Sequence, residues 1–338
     1  MESSETRPAK RLERTPRVVV TRHLMPFVEE RMGELFDVRL NTDDVPLTRE
    51  QLVAAMQDCD VLVPTVTDRI DAEMLAQASA DLGLIANFGA GTEHLDLEAA
   101  ASRGIMVTNT PGVFTDDTAD LAMAGIIGVP RRIREGVELI RSGKWSGWTP
   151  TALLGTKLAG KVLGIVGMGR IGQAVAHRAR AFGLEIAYHN RKRLPEAVER
   201  MFQARWVESL DELMGEADIL TLHCPAGPGT HHMIDERRIG LMKDGASLIN
   251  TARGDLVDQE ALIAALEGGR LAGAGLDVYP DEPNVDRRLI RHPNVMTLPH
   301  IGSATREGRE ESGLKVIANI RMWADGHRPP DQVLTGLG

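Results

Sequence analysis

The sequence predicts an α/β protein built from two doubly wound parallel-sheet domains. Short β-branched runs alternate with helical segments from Arg17 onward, the connections between them are short, and the alternation breaks off near Thr115 and restarts at Lys161. At 338 residues the chain is long for one domain and comfortable for two. An apolar share of 43% lets each domain bury its own core.

In the first series Val18–Thr21, Asp37–Leu40, Asp60–Val63, Leu84–Asn87 and Ile105–Thr108 read as strands. The helices between them are Val28–Leu35 after Pro26, a segment opening at Thr48, Asp71–Ala78 and Leu97–Arg103. A helical pattern from about Thr115 to Ser142 follows the turn Thr110-Pro111-Gly112; it carries Gly125, Gly128 and Pro130, so a kink or break is expected near Pro130. The Gly- and Trp-rich stretch Gly143–Gly155 suits a loop. The second series opens with Lys161–Val166 and runs to Val295–Leu298, and a last helix spans roughly Arg306–Gly326.

Composition narrows the function. A formal charge of −9 argues against nucleic acid or an anionic membrane as the main partner, because both attract basic surfaces. The two cysteines, Cys59 and Cys224, are far apart and lack metal-ligand spacing, so neither a disulfide framework nor a metal site is expected, and a reducing compartment, the cytoplasm, is the expected location. Residues 1–16 mix both charge signs without an apolar stretch; they read as a mobile tail and not as a signal peptide. Apolar runs such as Ala124–Val129 are too short to span a bilayer.

The second series carries the more telling motif. Its first strand runs directly into Gly167-Met-Gly169-Arg170-Ile171-Gly172, and Gln173–Ala181 then reads as a helix. In such a turn the first glycine permits the tight reversal, the second admits a pyrophosphate to the backbone, and the third lets helix pack close to strand. The N–H groups at the helix start favour an anion. The motif therefore predicts dinucleotide binding. The next strand, Glu185–His189, ends in Asn190-Arg191-Lys192-Arg193, with no carboxylate for a ribose 2′-hydroxyl. Cations at that point suit a 2′-phosphate, so NADP(H) is expected to be preferred over NAD(H), with Arg191 as the main contact beside Asn190 and Lys192.

Three polar residues fall just past later strands of the same series. Arg253 follows Ala246–Thr251, Glu282 follows Gly273–Val278, and His300 follows Val295–Leu298. Open α/β sheets bind ligands outside the carboxyl ends of their strands. Hydride transfer to a ketone leaves an oxyanion that an imidazolium can protonate; a carboxylate orients the imidazole, and a guanidinium binds a carboxylate or keto oxygen.

Taken together, the chain resembles the D-isomer-specific 2-hydroxyacid dehydrogenase family, and within it the glyoxylate/hydroxypyruvate reductases. The strings that carry the likeness are Asn87-Phe-Gly-Ala-Gly-Thr-Glu-His-Leu-Asp96, Val107-Thr-Asn-Thr-Pro-Gly-Val113, Gly164–Gly172, Leu222-His-Cys-Pro225, Asn250-Thr-Ala-Arg-Gly254, Gly275-Leu-Asp-Val-Tyr279 with Glu282-Pro283, and Pro299-His-Ile-Gly-Ser303. The resemblance covers about Val18 to Pro330. It implies a Rossmann coenzyme domain over 115–299 inserted in a flavodoxin-like substrate domain over 17–114 and 300–338. It also implies Arg253, Glu282 and His300 as the catalytic set, and backbone N–H groups of Ala90 and Gly91 as the cradle for the substrate carboxylate. Asp277 is implied as the holder of the nicotinamide carboxamide, and His223, Cys224, Pro225, Thr251 and Ala252 as cofactor lining. Val66 and Trp148 should shape the substrate pocket, and Trp145-Ser-Gly-Trp148 resembles the arm through which these reductases form homodimers.

Departures from neighbouring branches sharpen the expectation. Ala90 stands where phosphite-oxidising relatives carry lysine, and Glu282 is present where formate-oxidising relatives replace it. The expected activity is reduction of a small 2-keto acid by NADPH. Two alternatives remain: a dinucleotide-sensing, corepressor-like binding protein, and an NAD-linked D-2-hydroxyacid dehydrogenase acting on another substrate.

Overall fold

A computed structural model gives the structure, and residues 12–334 are described. The chain divides into two compact units: one takes the chain up to Phe114 and from Ala304 onward, the other is Thr115–Ser303.

In the first unit, strands β1 (Arg17–Val20), β2 (Asp37–Arg39), β3 (Val61–Val63), β4 (Leu84–Ala86) and β5 (Met106–Thr108) form one parallel sheet in the order β2-β1-β3-β4-β5. That order is the flavodoxin-like one, reversing direction between β1 and β3. The period of two along the strands explains the two cores: Val18, Val20, Val61, Val63 and Leu84 face one helical layer, while Val19, Leu62, Ile85 and Val107 face the other. Helices α1 (Pro26–Leu35), α2 (Arg49–Asp58), α3 (Ala72–Ala76) and α4 (Leu97–Ser102) connect the strands. Local chemistry sets several of the starts: Pro26 leads α1, a capping box of Thr48 and Gln51 opens α2, and Asp71 and Asp96 cap α3 and α4.

The expectation of a mobile tail over 1–16 falls outside the described residues for 1–11, and residues 12–16 differ from it. The Arg14 guanidinium donates to both oxygens of buried Asp60 at 2.5 and 2.6 Å, the Arg17 backbone N–H donates to the same carboxylate at 2.7 Å, and the Leu12 N–H donates to the Ala324 carbonyl at 2.9 Å. Burial works against ionising Asp60, but the bonds from Arg14 and Arg17 outweigh it and hold its pKa down at about 2. A charge pattern that reads as solvated in the sequence becomes structural because a carboxylate far away in the chain is buried beneath it.

The second unit is a seven-stranded parallel sheet of β6 (Val162–Val166), β7 (Glu185–His189), β8 (Ala204–Trp206), β9 (Ile219–Leu222), β10 (Ala246–Asn250), β11 (Leu271–Leu276) and β12 (Val295–Thr297). Its order, β12-β11-β10-β9-β6-β7-β8, is the doubly wound dinucleotide-binding arrangement with one added strand, and its direction reverses between β6 and β9. Hydrophobic layers cover both faces.

The long helical stretch from Thr115 is broken as expected, into α5 (Thr115–Gly128) and α6 (Ile133–Arg141). Pro130 cannot continue the helix, and Arg132 caps α6 in the left-handed region at φ 54°. The helix α7 (Arg170–Ala181) begins three residues before the expected Gln173, because Gly169 serves as its N-cap and its carbonyl accepts the Gln173 N–H at 2.9 Å. The expected boundary between residues 299 and 300 moves to Ser303. Residues 300–303 stay with the second unit because buried Asp277 accepts the N–H groups of Ile301 and Gly302 at 2.8 and 2.7 Å, while Thr118 donates to the Gly302 carbonyl at 3.0 Å.

Candidate active site

At the sheet's reversal point β6 runs into the glycine turn and, one strand over, β9 runs into His223 and Cys224. Gly167 has φ 96°, and a Cβ there would lie 2.6 Å from the Cys224 nitrogen, so both conformation and space demand glycine. A Cβ on Gly169 would meet open space, as a position that faces a ligand requires. Arg170 is exposed on the first turn of α7, Ile171 is half-buried, and Gly172 is buried behind them.

Asn190, expected as a cofactor contact, uses its side-chain oxygen to accept the Met168 N–H at 2.7 Å, which ties the end of β7 to the glycine turn. Arg193 is bound to Glu199 through two hydrogen bonds of 2.9 and 2.8 Å. Arg191 and Lys192, by contrast, are exposed and pair with no side chain among the described residues. Of the three cations in the turn, two are therefore available to an anion.

Two buried polar atoms at this edge have no partner among the described residues: Nδ1 of His223 and Oγ1 of Thr251. The β9–β10 register pairs Leu222 with Asn250, so the next residues, His223 and Thr251, stand side by side. Burial pushes the His223 imidazole down to about 3 and the Cys224 thiol up to about 11, so both are neutral near pH 7. Unsatisfied buried polar atoms are rare in native structures and call for a ligand or water. With the open face at Gly169, they fit a dinucleotide here. Pro225 is exposed and Ala252 half-buried on the same two loops.

The acid–base residues come together at the ends of β10, β11 and β12. His300 Nδ1 lies 2.7 Å from Glu282 Oε2, and the other oxygen of Glu282 accepts the Tyr279 N–H at 2.9 Å. Burial opposes ionisation of Glu282, but the hydrogen bonds from His300 and Tyr279 and the charges of His300 and Arg253 prevail, holding its carboxyl below the usual range. His300 sits at φ 54°, a left-handed conformation that a side chain other than glycine's adopts at a cost. The strain is held by the N–H bonds of Ile301 and Gly302 to Asp277. Burial raises the Asp277 carboxyl, against the pull of those two N–H groups.

Arg253 is placed by its neighbours. Asn250 accepts the Ala252 N–H at 3.0 Å and donates to the Arg253 carbonyl at 2.8 Å, closing the loop that carries the guanidinium. Gly254 then passes so close to the Tyr279–Pro280 peptide that an added Cβ would lie 2.1 Å from the Tyr279 carbonyl carbon, which presses the Arg253 loop against the one bearing Glu282.

In the first unit the loop after β4 is organised differently. Asn87 donates to the carbonyls of Gly89 and Gly91 at 3.1 and 2.9 Å, Asn109 donates to the Ala90 carbonyl at 2.7 Å, and the Thr110 N–H takes the Gly89 carbonyl again at 3.0 Å. With these carbonyls turned into the protein, the N–H groups of Ala90 and Gly91 donate to nothing among the described residues. Backbone donors left unbonded in this way are able to receive an anion. Val66, after β3, is half exposed, and Trp148, in the segment between α6 and β6, is 82% exposed.

Sequence reasoning about side-chain chemistry did not single out Asn87, Asn109, Asn250, Tyr279 or Thr118 as site residues. The buried Tyr279 hydroxyl shares its one proton between the carbonyls of Leu276 and Leu298, at 3.1 and 3.0 Å, tying the ends of β11 and β12 together. A polar residue at the last position of a fully buried strand, as at Asn250, is the signal that points to such a role.

Comparisons with known proteins agree with this geometry. Residues 123–302 match the family model described as D-isomer specific 2-hydroxyacid dehydrogenase, NAD binding domain. A glyoxylate reductase of Thermococcus litoralis is 45% identical over 322 residues, which is 94% of this chain and 96% of that protein. The crystal structure of a glyoxylate reductase from Paecilomyes thermophila superposes with a TM-score of 0.84 at 35% identity, covering 94% of this chain and 98% of that one. An NADPH-dependent glyoxylate/hydroxypyruvate reductase from Sinorhizobium meliloti, solved with citrate, gives a TM-score of 0.83 at 32% identity, covering 94% and 97%. With the two sheet orders, the glycine turn and the paired imidazole and carboxylate already in place, these likenesses over nearly the whole chain lead to one conclusion: the protein belongs to the D-isomer specific 2-hydroxyacid dehydrogenase family.

Proposed function

We propose that this oxidoreductase reduces small 2-keto acids, glyoxylate and hydroxypyruvate foremost, to 2-hydroxy acids, with NADP(H) preferred over NAD(H). The observation that carries the reading is the His300–Glu282 pair at 2.7 Å, set past the ends of the same sheet whose first strand opens into the glycine turn.

The nicotinamide, when bound, supplies the hydride that reduces the keto carbon. His300 donates the proton to the resulting alkoxide oxygen from Nε2, because Nδ1 is directed at Glu282. Glu282 orients the ring and stabilises its charged form, in the way a carboxylate serves a general acid. Arg253 binds the substrate carboxylate or keto oxygen, and the N–H groups of Ala90 and Gly91 bind the carboxylate. Val66 and Trp148 limit the size of the substrate's side chain. The dinucleotide is held by Gly167, Gly169, Arg170, Ile171 and Gly172 at the pyrophosphate, by His223, Cys224, Pro225, Thr251 and Ala252 along its length, and by Asp277 at the carboxamide.

The preference for NADP(H) rests on the missing carboxylate after β7 and on unpaired Arg191 and Lys192, with Asn190 as the anchor of their loop. The Sinorhizobium meliloti relative is itself described as NADPH-dependent. A homodimer is proposed from α6, whose apolar residues Ile133, Val137 and Ile140 are about half exposed on one helical face. No helix among the described residues is long and apolar enough to cross a membrane. With both cysteines free, a cytoplasmic location is proposed.

The test is steady-state oxidation of NADPH and NADH by the purified protein with glyoxylate, hydroxypyruvate, pyruvate and bulkier 2-keto acids. Turnover fastest with NADPH and the two smallest polar substrates is expected. Turnover with NADH alone would overturn the cofactor preference, and tight cofactor binding without turnover would overturn the reductase reading.

A further inference from the structure

The turn after β7 holds three cations, and the structure treats one of them differently. Arg193 donates to Glu199 Oε1 at 2.9 Å and to Oε2 at 2.8 Å, with its guanidinium 5.6 Å from the centre of the Trp206 ring. Glu199 Oε1 also accepts the Tyr188 hydroxyl at 2.7 Å, and that hydroxyl in turn accepts the Leu194 N–H at 2.9 Å. Tyr188 is fully buried and Glu199 is 7% exposed. The loop 190–194 is thus pinned at both ends. Asn190 fastens the start to the glycine turn, Tyr188 and Glu199 fasten the finish, and Arg191 and Lys192 between them pair with no side chain among the described residues.

We propose that Tyr188 and Glu199 are positioning residues of the subsite for the cofactor's 2′-phosphate, committing Arg193 to the protein and holding Arg191 and Lys192 ready for the ligand. This rests on the NADP(H) preference proposed above. Free side chains of this length lose rotamer entropy when they bind, and a loop already fixed at both ends loses less. The arrangement also handles charge. Glu199 is a carboxylate eight residues along the chain from the proposed phosphate ligand Arg191, and Arg193 pairs with it. Burial and the neighbouring Glu199 raise the Tyr188 phenol to about 12, so the hydroxyl stays protonated and donates throughout the neutral range. Discrimination between the two cofactors then depends on buried residues that never touch the phosphate.

The experiment is equilibrium binding of NADPH, NADH and adenosine 2′,5′-bisphosphate to the full-length protein and to Tyr188→Phe, Glu199→Gln and Arg191→Ala, with thermal unfolding of each. Tyr188→Phe and Glu199→Gln are expected to weaken NADPH and the bisphosphate about five- to tenfold, and to leave NADH within about twofold. Equal weakening of NADPH and NADH would overturn the proposal, because a purely structural lesion does not single out the phosphate. Unchanged or tighter NADPH binding in Glu199→Gln would also overturn it, by showing Arg193 to be a ligand that Glu199 withholds. Arg191→Ala separates the two levels. If it leaves NADPH affinity intact, the NADP(H) preference itself falls. If it weakens NADPH selectively while the Tyr188 and Glu199 variants bind normally, only the positioning role falls.

Discussion

The loops beyond the carboxyl ends of the two sheets bring different kinds of group to their proposed anion sites. In the second unit the working groups are side chains: His300, Glu282 and Arg253 stand on loops braced by buried Asp277, Asn250 and Tyr279. In the first unit, the groups proposed to meet the anion are the backbone N–H groups of Ala90 and Gly91 in the loop after β4. Asn87 and Asn109 pull its carbonyls inward and leave backbone N–H groups facing out. A buried charge cluster of that unit, Asp60 with Arg14 and Arg17, lies where β1 and β3 begin, at the opposite edge of the sheet, and holds the chain. Ionisable side chains can exchange a proton with a substrate; backbone donors can only hold one. On the proposed reading, the second unit supplies the acid–base groups and the first unit supplies backbone donors for the carboxylate.

The largest effect expected from this contrast is at Arg253. Arg253→Gln should lower kcat/KM for glyoxylate by about 10²- to 10³-fold while NADPH binding stays near that of the parent, since a charged donor aimed at developing charge is worth several kcal/mol. Loss of cofactor binding in place of kcat/KM would place Arg253 in the wrong role. In the first unit Asn87→Ala should act more gently. Freed carbonyls let the Ala90–Gly91 loop relax, and KM for the keto acid should rise about tenfold with kcat changed less. An equal fall in kcat would mean that the first unit takes part in the chemistry and would break the comparison.

The third change is expected to leave activity untouched and to act on stability alone. Asp60 has a folded pKa of about 2 against an ordinary 3.8, so its contribution is fully present above about pH 4 and is lost as the pH falls from 3.8 towards 2. Asp60→Asn should destabilise the protein by roughly 2 kcal/mol at pH 7 in urea unfolding, with the difference from the parent shrinking only below pH 4 and with kcat unaltered. A change in kcat would show that the cluster is coupled to the site.

The same contrast explains how much could be read in advance. The strand–helix alternation gave both sheets, because buried parallel strands such as Val61–Val63 and Leu84–Ala86 are continuous apolar runs. Gly167, Gly169 and Gly172 announced the phosphate turn, since chain geometry leaves few other reasons for that spacing after a strand. His300, Glu282 and Arg253 stood out because ionisable residues past strand ends are chemically loud, and the fold brings His300 and Glu282 into contact across 18 positions of sequence. The proposed backbone cradle had no such signal. Ala90 and Gly91 carry no functional group, and only family resemblance pointed to them; the Asn clamps that create the cradle look like ordinary turn residues. Likewise, the three cations after β7 look alike in the sequence, and only tertiary contact with Glu199 sets Arg193 apart from Arg191 and Lys192.

The most direct test of the account is single-turnover reduction of glyoxylate by protein preloaded with NADPH, comparing the parent with His300→Ala by stopped-flow absorbance. The account predicts rapid oxidation of NADPH in the parent and a rate lower by about 10²- to 10⁴-fold in the variant, with unchanged affinity for NADPH. Equal rates in the two proteins would contradict His300 as the proton donor and, with it, the assignment of the chemistry to the second unit.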